Sequence, residues 1–200
     1  MSFEPHGLIN TWALHGAYLE ASDPEKQEFA TVPLWQDILN DYMATDGIVV
    51  NGQLHLAMDD TTKTVDIIVR YYDTEFRPIT LLMVECKRYS RTPRSIQEME
   101  EQLYDFVGDT FSPEVLAHRP KVYGAVACGT KIRAWTVVLN GGHIDLRPYW
   151  GSTESADMES YKDAGKAGDA TEIYNFFAAA KREAQNALTG ASTTSAIPQA

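Results

Sequence analysis

Two hundred residues suffice for one domain with additions, and a hydrophobic content of 44% can supply a sizeable core. The formal net charge of −11 argues against general polyanion binding by bulk attraction, although a local basic site remains possible. The N-terminus has neither a basic start nor a long apolar run, and no segment approaches the roughly 20 apolar residues of a membrane helix. We therefore expect a soluble intracellular protein, cytoplasmic or nuclear, that lacks a signal peptide and does not act at a membrane.

The N-terminal region predicts a short amphipathic helix within residues 8–20. Leu8, Trp12 and Leu14 would face inward, and Gly16 would interrupt the helix.

A second helix and a strand are predicted next. Apolar side chains recur with helical spacing through residues 33–43, beginning at Pro33, a residue that suits the first turn of a helix. Residues 48–58 then predict a strand, or a hairpin that turns at residues 51–52.

The central stretch, residues 64–87, predicts two strands rich in Val, Ile, Leu and Tyr and joined by a turn. Residues 81–84 are apolar on both faces, which is typical of a strand that is covered on both sides. Because successive side chains of a strand point to opposite faces, Glu85 and Lys87 share a face and Cys86 points the other way. Charged groups at the end of a buried strand are rarely accommodated unless they are paired or metal-bound, so this position is the first indication of function.

A third helix is predicted over residues 92–107, with Thr92 as its cap and Pro93 at its first position. Gln102 lies at the margin of the apolar stripe, and a loop is expected over residues 108–120. The stripe consists of Ile96, Met99, Leu103, Phe106 and Val107.

The C-terminal half predicts more strands and a last helix. Cys86 and Cys128 both lie in apolar strand-like runs and are expected to be reduced core residues. Strands are expected at residues 122–129, 132–139 and 143–150, a loose segment at 151–168, and a helix at 172–188.

Together these elements predict an α/β (mixed α+β) fold, with a central mixed β-sheet flanked by helices around one core. The expected organisation is an N-terminal extension (1–32), the main domain (33–150), a linker and C-terminal helix that packs on the core (151–188), and a disordered tail (189–200).

Asp66 and Glu85 form a candidate metal site. Two carboxylates at one end of a sheet repel each other unless a cation joins them, and Mg²⁺ commonly takes one or two carboxylates together with water and phosphate oxygens. The backbone carbonyl of Cys86 would lie beside Glu85 and complete the protein ligands. Lys87 would orient a metal-bound water or help to deprotonate it, which suits phosphodiester hydrolysis.

Asp66, followed by a hairpin that ends in Glu85-Cys86-Lys87, resembles the motif of the PD-(D/E)XK nuclease superfamily. The family core is a helix, three strands, a helix and a strand, an order that the predicted elements can follow. The family's first acid and its (D/E)-x-K fall on Asp66, Glu85 and Lys87, with Val65 where many members have proline. The resemblance implies a restriction-endonuclease-like fold and a nuclease that uses Mg²⁺ or Mn²⁺.

Further positions extend this resemblance, which covers roughly residues 33–140. RecB-like nucleases carry Gln-x-x-x-Tyr on the next helix, and Gln102 with Phe106 is similar. The resemblance implies that Gln102 braces the site. Many members also have an acid on the first helix, where Asp37 or Gln36 is the nearest candidate and no Glu occurs.

Basic side chains follow the central strand in a short loop. They are Lys87, Arg88, Arg91 and Arg94, with the aromatic Tyr89 among them. One interpretation is a nucleic-acid-binding phosphate clamp with Tyr89 stacked on a base, and the other is a solvated loop that offsets the nearby glutamates. Lys121, Lys131 and Arg133 would extend the patch if the following strands lie alongside it.

Three functions therefore compete. The first is a metal-dependent nuclease that hydrolyses phosphodiester bonds in nucleic acid, with DNA as the expected substrate and a homodimer or a protein partner possible. The second is a catalytically inactive domain of this fold that binds nucleic acid or protein. The third is a module that recognises a protein target through its acidic faces.

Overall fold

A computed structural model describes residues 3–26, 28–55, 64–87, 92–117 and 121–193. Within these residues a seven-stranded sheet has the order β1-β2-β3-β4-β5-β6, and β7 pairs with β5. The strands are β1 (Ile48–His55), β2 (Thr64–Tyr72), β3 (Pro78–Lys87), β4 (Val122–Cys128), β5 (Lys131–Asn140), β6 (His143–Pro148) and β7 (Lys162–Asp163). The helices are α1 (Trp12–Ser22), α2 (Thr31–Met43), α3 (Pro93–Thr110), α4 (Pro113–Ala117) and α5 (Ala167–Thr193).

The sheet is mixed and mostly antiparallel. Strands β1, β2 and β3 pair antiparallel, as do β4, β5 and β6, whereas β3 and β4 pair parallel. A parallel pair requires a long crossover connection, and α3 supplies it between β3 and β4. The predicted mixed sheet flanked by helices is thereby confirmed.

Helices cover both faces of the sheet. One core lies between the sheet and α1, α2 and α5, and the other lies between the sheet and α3. Every residue from Leu81 to Cys86 is buried, so β3 is covered on both sides as its apolar run predicts. Cys86 and Cys128 are buried and form no disulfide with each other, as expected for reduced core residues. Both the N-terminal segment and α5 contribute to the first core, through Ile9, Phe176 and Phe177 among others.

The first helix differs from its prediction. It begins at Trp12, with Thr11 as N-cap, whose Oγ1 accepts a hydrogen bond from the Leu14 backbone N–H at 3.1 Å. Trp12 is 62% exposed and lies against Phe3, with 5.4 Å between ring centroids, so its predicted inward orientation is wrong. Gly16 lies inside the helix and does not interrupt it, because one glycine costs only about 1 kcal/mol there.

A hairpin at residues 51–52 is excluded. Strand β1 continues through Asn51 and Gly52, which pair with Ile68 and Ile67 of β2. A two-residue hairpin turn needs a positive φ angle, and the φ angle of Gly52 is not positive. The Gln36 side chain occupies the space where a Cβ of Gly52 would lie, so this glycine permits close helix–strand packing.

The C-terminal half is more ordered than its composition indicates. The predicted loop at 108–120 contains the end of α3 and all of α4, and residues 118–120 lie outside the described residues. The loose segment contains β7 and a 3₁₀ turn, Met158–Ser160, which the Asp157 side chain caps. Residues 189–193 continue α5 rather than forming a disordered tail, since a helix anchored by buried residues propagates readily, while 194–200 lie outside the described residues. No helix in the described ranges combines the length and apolarity needed to cross a bilayer.

Candidate functional site

The motif residues meet at one end of the β2–β3 hairpin. Ile67 pairs with Val84, and one further step of this antiparallel register sets Asp66 opposite Glu85. Asp66 Oδ2 accepts a hydrogen bond from the Cys86 backbone N–H at 2.8 Å. This contact, which we call the Asp66 clamp, joins the carboxylate of one strand to the backbone of the next.

Glu85 and Lys87 form an ion pair on one face of β3. Lys87 Nζ lies 2.8 Å from Glu85 Oε1, and the two side chains are 26% and 12% exposed. Met83 precedes them on the same face and packs beneath α3, whereas Cys86 belongs to the core on the opposite face. The alternation predicted for the strand is confirmed, and the pair is more shielded from water than an exposed surface pair would be.

Long-range hydrogen bonds hold the end of β3. The Lys87 carbonyl accepts from Thr31 Oγ1 at 2.7 Å and from the Gly129 N–H at 3.3 Å. Trp35 Nε1 donates to the Gly129 carbonyl at 2.9 Å. Helix α2 and the β4–β5 turn therefore fix the backbone from which Lys87 projects. The sequence patterns missed this role of Thr31 and Trp35, whose only signal is a polar atom on an otherwise apolar helix face.

The remaining positions of the resemblance lie on two helices. Gln102 is exposed on α3, whose other margin carries Glu100 and Tyr104 toward β5 and β6. On the helical period, Gln102 therefore lies on the margin that faces β2 and β3. On α2, Asp37 is exposed and Gln36 packs against β1 at Gly52.

The predicted basic patch is only partly described. Arg88, Tyr89 and Arg91 lie outside the described residues. Arg94 is described, and its side chain is 91% exposed with Nε 3.0 Å from Glu98 Oε1. For Arg94, this pairing matches the interpretation in which the basic residues offset nearby glutamates.

Arg133 does not extend a surface patch, so that prediction is wrong. It is 1% exposed beneath α3, because its position on β5 points to the face that this helix covers. Its guanidinium donates to Glu100 Oε1 at 2.8 Å and to the carbonyls of Ser152 and Glu154 at 2.8 and 2.9 Å. Tyr161 also donates to Glu100, at 3.1 Å, and burial raises the pKa of this phenol. Arg133 is thus a structural group that anchors the 152–156 segment.

Asp66 and Glu85 suit a hard divalent cation. Each carboxylate has two oxygens with about four acceptor sites, so accepting one hydrogen bond or ion pair does not exhaust it. Among the described residues no group of three or more His, Cys, Asp or Glu side chains is placed to hold a metal ion. Two carboxylates are nevertheless the usual protein share of a Mg²⁺ site that is completed by water and substrate phosphate. The donor set fits Mg²⁺ or Mn²⁺ and excludes a closed Zn²⁺ site of thiolates and imidazoles.

Comparison with known proteins finds no matching family model, no matching curated protein and no matching solved structure. The resemblance to the PD-(D/E)XK superfamily therefore stays a prediction, carried by the motif residues and their geometry.

Proposed function

We propose that this protein is a metal-dependent nuclease that hydrolyses phosphodiester bonds, with DNA as its substrate. The observation that carries the proposal is the Asp66 clamp beside the Glu85–Lys87 pair. It brings two carboxylates and an ammonium group to the end of β3, the strand at which the sheet changes from antiparallel to parallel pairing.

Asp66 and Glu85 would hold the cation, and the Cys86 carbonyl would complete the protein ligands. A bound Mg²⁺ supplies a water of lowered pKa and neutralises charge that develops on the phosphoryl oxygens. The clamp fixes the Asp66 carboxylate against the backbone of β3, which limits the reorganisation needed when a substrate arrives.

Lys87 would position the attacking water. Its ammonium group lies on the face of Glu85 and carries three donors, so it can exchange its present partner for a water or a phosphate oxygen. Gln102, on the margin of α3 toward β2 and β3, would brace the site. Both roles depend on the fixed backbone at the end of β3.

The experiment combines Mn²⁺ titration by calorimetry with cleavage of single- and double-stranded DNA and RNA. We expect wild-type cleavage to require the metal, and we expect Glu85→Gln to abolish both metal binding and cleavage. Lys87→Met should bind the metal and lose at least ~100-fold in rate, the usual contribution of a positioned proton-transfer group. Lys26→Met, at an exposed lysine between α1 and α2, is the matched control. Metal-stimulated cleavage that persists in Glu85→Gln and Lys87→Met would refute the proposal.

A second candidate is an inactive domain of the same fold that binds nucleic acid or protein. It is favoured by the absence, in the described ranges, of any cluster of three metal-binding side chains and by the net charge of −11. A folded wild type that binds a partner and takes up no Mn²⁺ would establish it in place of the nuclease.

A further inference from the structure

A polar cavity of about 490 Å³ opens beside the first residue of β5. It lies between β5, the 3₁₀ turn before β7 and the beginning of α5. Its lining includes Lys131, Lys162, Lys166, Glu159, Asp169 and Tyr161. We call it the lysine cavity.

The lysine cavity lies at the same end of the sheet as the candidate active site. Lys87 pairs with Cys128 of β4, and Cys128 pairs with Lys131 of β5. Directly paired residues project to the same face of a sheet, so Lys87 and Lys131 share one face. Farther along the strands, α3 covers this face. Two strand spacings separate them, or about 10 Å.

Among the described residues, two of the three cavity lysines take part in no ion pair. Lys162 Nζ lies 3.1 Å from Glu172 Oε1 and 3.9 Å from Asp169 Oδ1. Lys131 and Lys166, by contrast, form no ion pair within the part of the chain that the structure describes. The lining thus carries three ammonium groups against two carboxylates, Glu159 and Asp169, and this excess of positive charge in an acidic protein suits an anion.

The neighbouring cavity has the opposite character. About 300 Å³ in volume, it lies between α3 and β6, and its lining includes Glu101, Asp105 and Asp145. These carboxylates repel a polyanion. A nucleic-acid strand that leaves the candidate active site is therefore favoured on the side of the lysine cavity and disfavoured on the α3–β6 side.

We propose that the lysine cavity binds a backbone phosphate of the DNA substrate beside the scissile bond, through Lys131 and Lys166. This inference rests on the proposed nuclease function. Phosphates of one DNA strand repeat every ~3.4 Å along the axis of the double helix. A DNA strand bound at Lys87 therefore places another phosphate about 10 Å away, within reach of the lysine cavity. Lysine contacts of this type position the nucleic acid and carry no base sequence preference.

The experiment measures binding of a fluorescein-labelled 30-base-pair DNA to the full chain by anisotropy, in EDTA, across a series of NaCl concentrations. Lys131→Ala/Lys166→Ala should raise Kd several-fold and reduce the slope of log Kd against log salt by about one, because one phosphate contact is lost. Lys26→Ala is the matched control and should change neither quantity. Neither cavity lysine is buried, so circular dichroism should show an unaltered fold.

The outcomes separate the two proposals. If the double variant binds and cleaves DNA like wild type, with the same salt slope, the assignment of the lysine cavity as a phosphate site is overturned and the nuclease proposal stands. If wild type binds DNA, the double variant binds it weakly and no metal supports cleavage, the nuclease fails and the cavity assignment survives. If the protein binds labelled RNA but not DNA, the choice of DNA as substrate is overturned. If it binds no nucleic acid at all, both proposals are overturned.

Discussion

Removing the Asp66 carboxylate tests both the geometry and the chemistry of the candidate site. In Asp66→Ala the Cys86 N–H loses its 2.8 Å acceptor. Because Cys86 is fully buried, water does not readily replace that acceptor, and an unsatisfied buried donor costs about 1–3 kcal/mol. Relief of the repulsion between Asp66 and Glu85 offsets part of this cost. We therefore expect the free energy of unfolding to fall by about 2 kcal/mol.

Asp66→Asn is the matched variant, because its amide oxygen can still accept from the Cys86 N–H. It loses only the charge assistance of the hydrogen bond, so its stability should fall by less than about 1 kcal/mol. Both variants should lose metal-stimulated cleavage, since neither supplies a second carboxylate. The pair thus distinguishes the structural role of Asp66 from its role as a ligand.

Urea unfolding followed by circular dichroism in EDTA provides the stability readout. With a denaturant slope of about 2 kcal/mol per molar, Asp66→Ala should unfold at a urea concentration about 1 M lower than wild type. An unchanged midpoint in Asp66→Ala would refute the clamp. Full cleavage activity in Asp66→Asn would refute the ligand role, whatever the stability.

Three further predictions concern the rest of the fold. Glu100→Gln should cost about 3–5 kcal/mol of stability, measured in urea, because it leaves the buried Arg133 guanidinium without its counter-charge. Burial raises the pKa of Tyr123 to about 12, so the contribution of this phenol to stability should be constant below pH 10 and be lost between pH 10 and 12, because the phenol ionises first in the unfolded chain. Urea titrations across that range should show a shallower fall in Tyr123→Phe. Gly7→Ala should lower the melting temperature, because Gly7 has φ +59° and a Cβ there would collide with the Ala164 carbonyl.

Each of these predictions has a control. Gly141 also has φ +59° but has no atom within 4 Å of the added Cβ, so Gly141→Ala measures backbone strain without the collision. If the melting temperature falls equally in Gly7→Ala and Gly141→Ala, the collision does not explain the loss at Gly7. Glu98→Gln, at a half-exposed position of α3, should cost well under 1 kcal/mol. For Tyr123, urea titrations of wild type and Tyr123→Phe below pH 10 are the control, because the two should differ there by an amount that does not vary with pH.

Local chemistry explains which elements were predictable. Helix α3 follows from Thr92 at its cap, Pro93 at its first position and an apolar stripe of helical period. The β2–β3 hairpin follows from two apolar runs joined by a turn, and Asp66, Glu85 and Lys87 come together because a hairpin is a contact between near neighbours in the chain. In the first helix the signal is weaker: a helix was predicted there, but Trp12 was wrongly turned inward and the helix was wrongly interrupted at Gly16.

Contacts between distant segments explain what the sequence did not indicate. The Trp35 indole reaches a carbonyl 94 residues away, and Thr31 reaches one 56 residues away. Arg133 carries a charge that a pattern assigns to the surface, yet its alternation on β5 buries it where Glu100 can pair with it. No local periodicity records such partners, because each one depends on which elements pack together.

For this protein, then, residue periodicity and turn chemistry alone determined the helices α2, α3 and α5, the central hairpin and the motif on it, because those features depend on neighbours along the chain. Only the tertiary structure decided the strand order, the burial of Arg133 and the lysine cavity, in which Lys131 meets Lys166. The lysine cavity forms because β7 pairs with β5 and brings the beginning of α5 to that edge of the sheet. Such pairing is selected by the free energy of the whole core, which no single stretch of sequence contains.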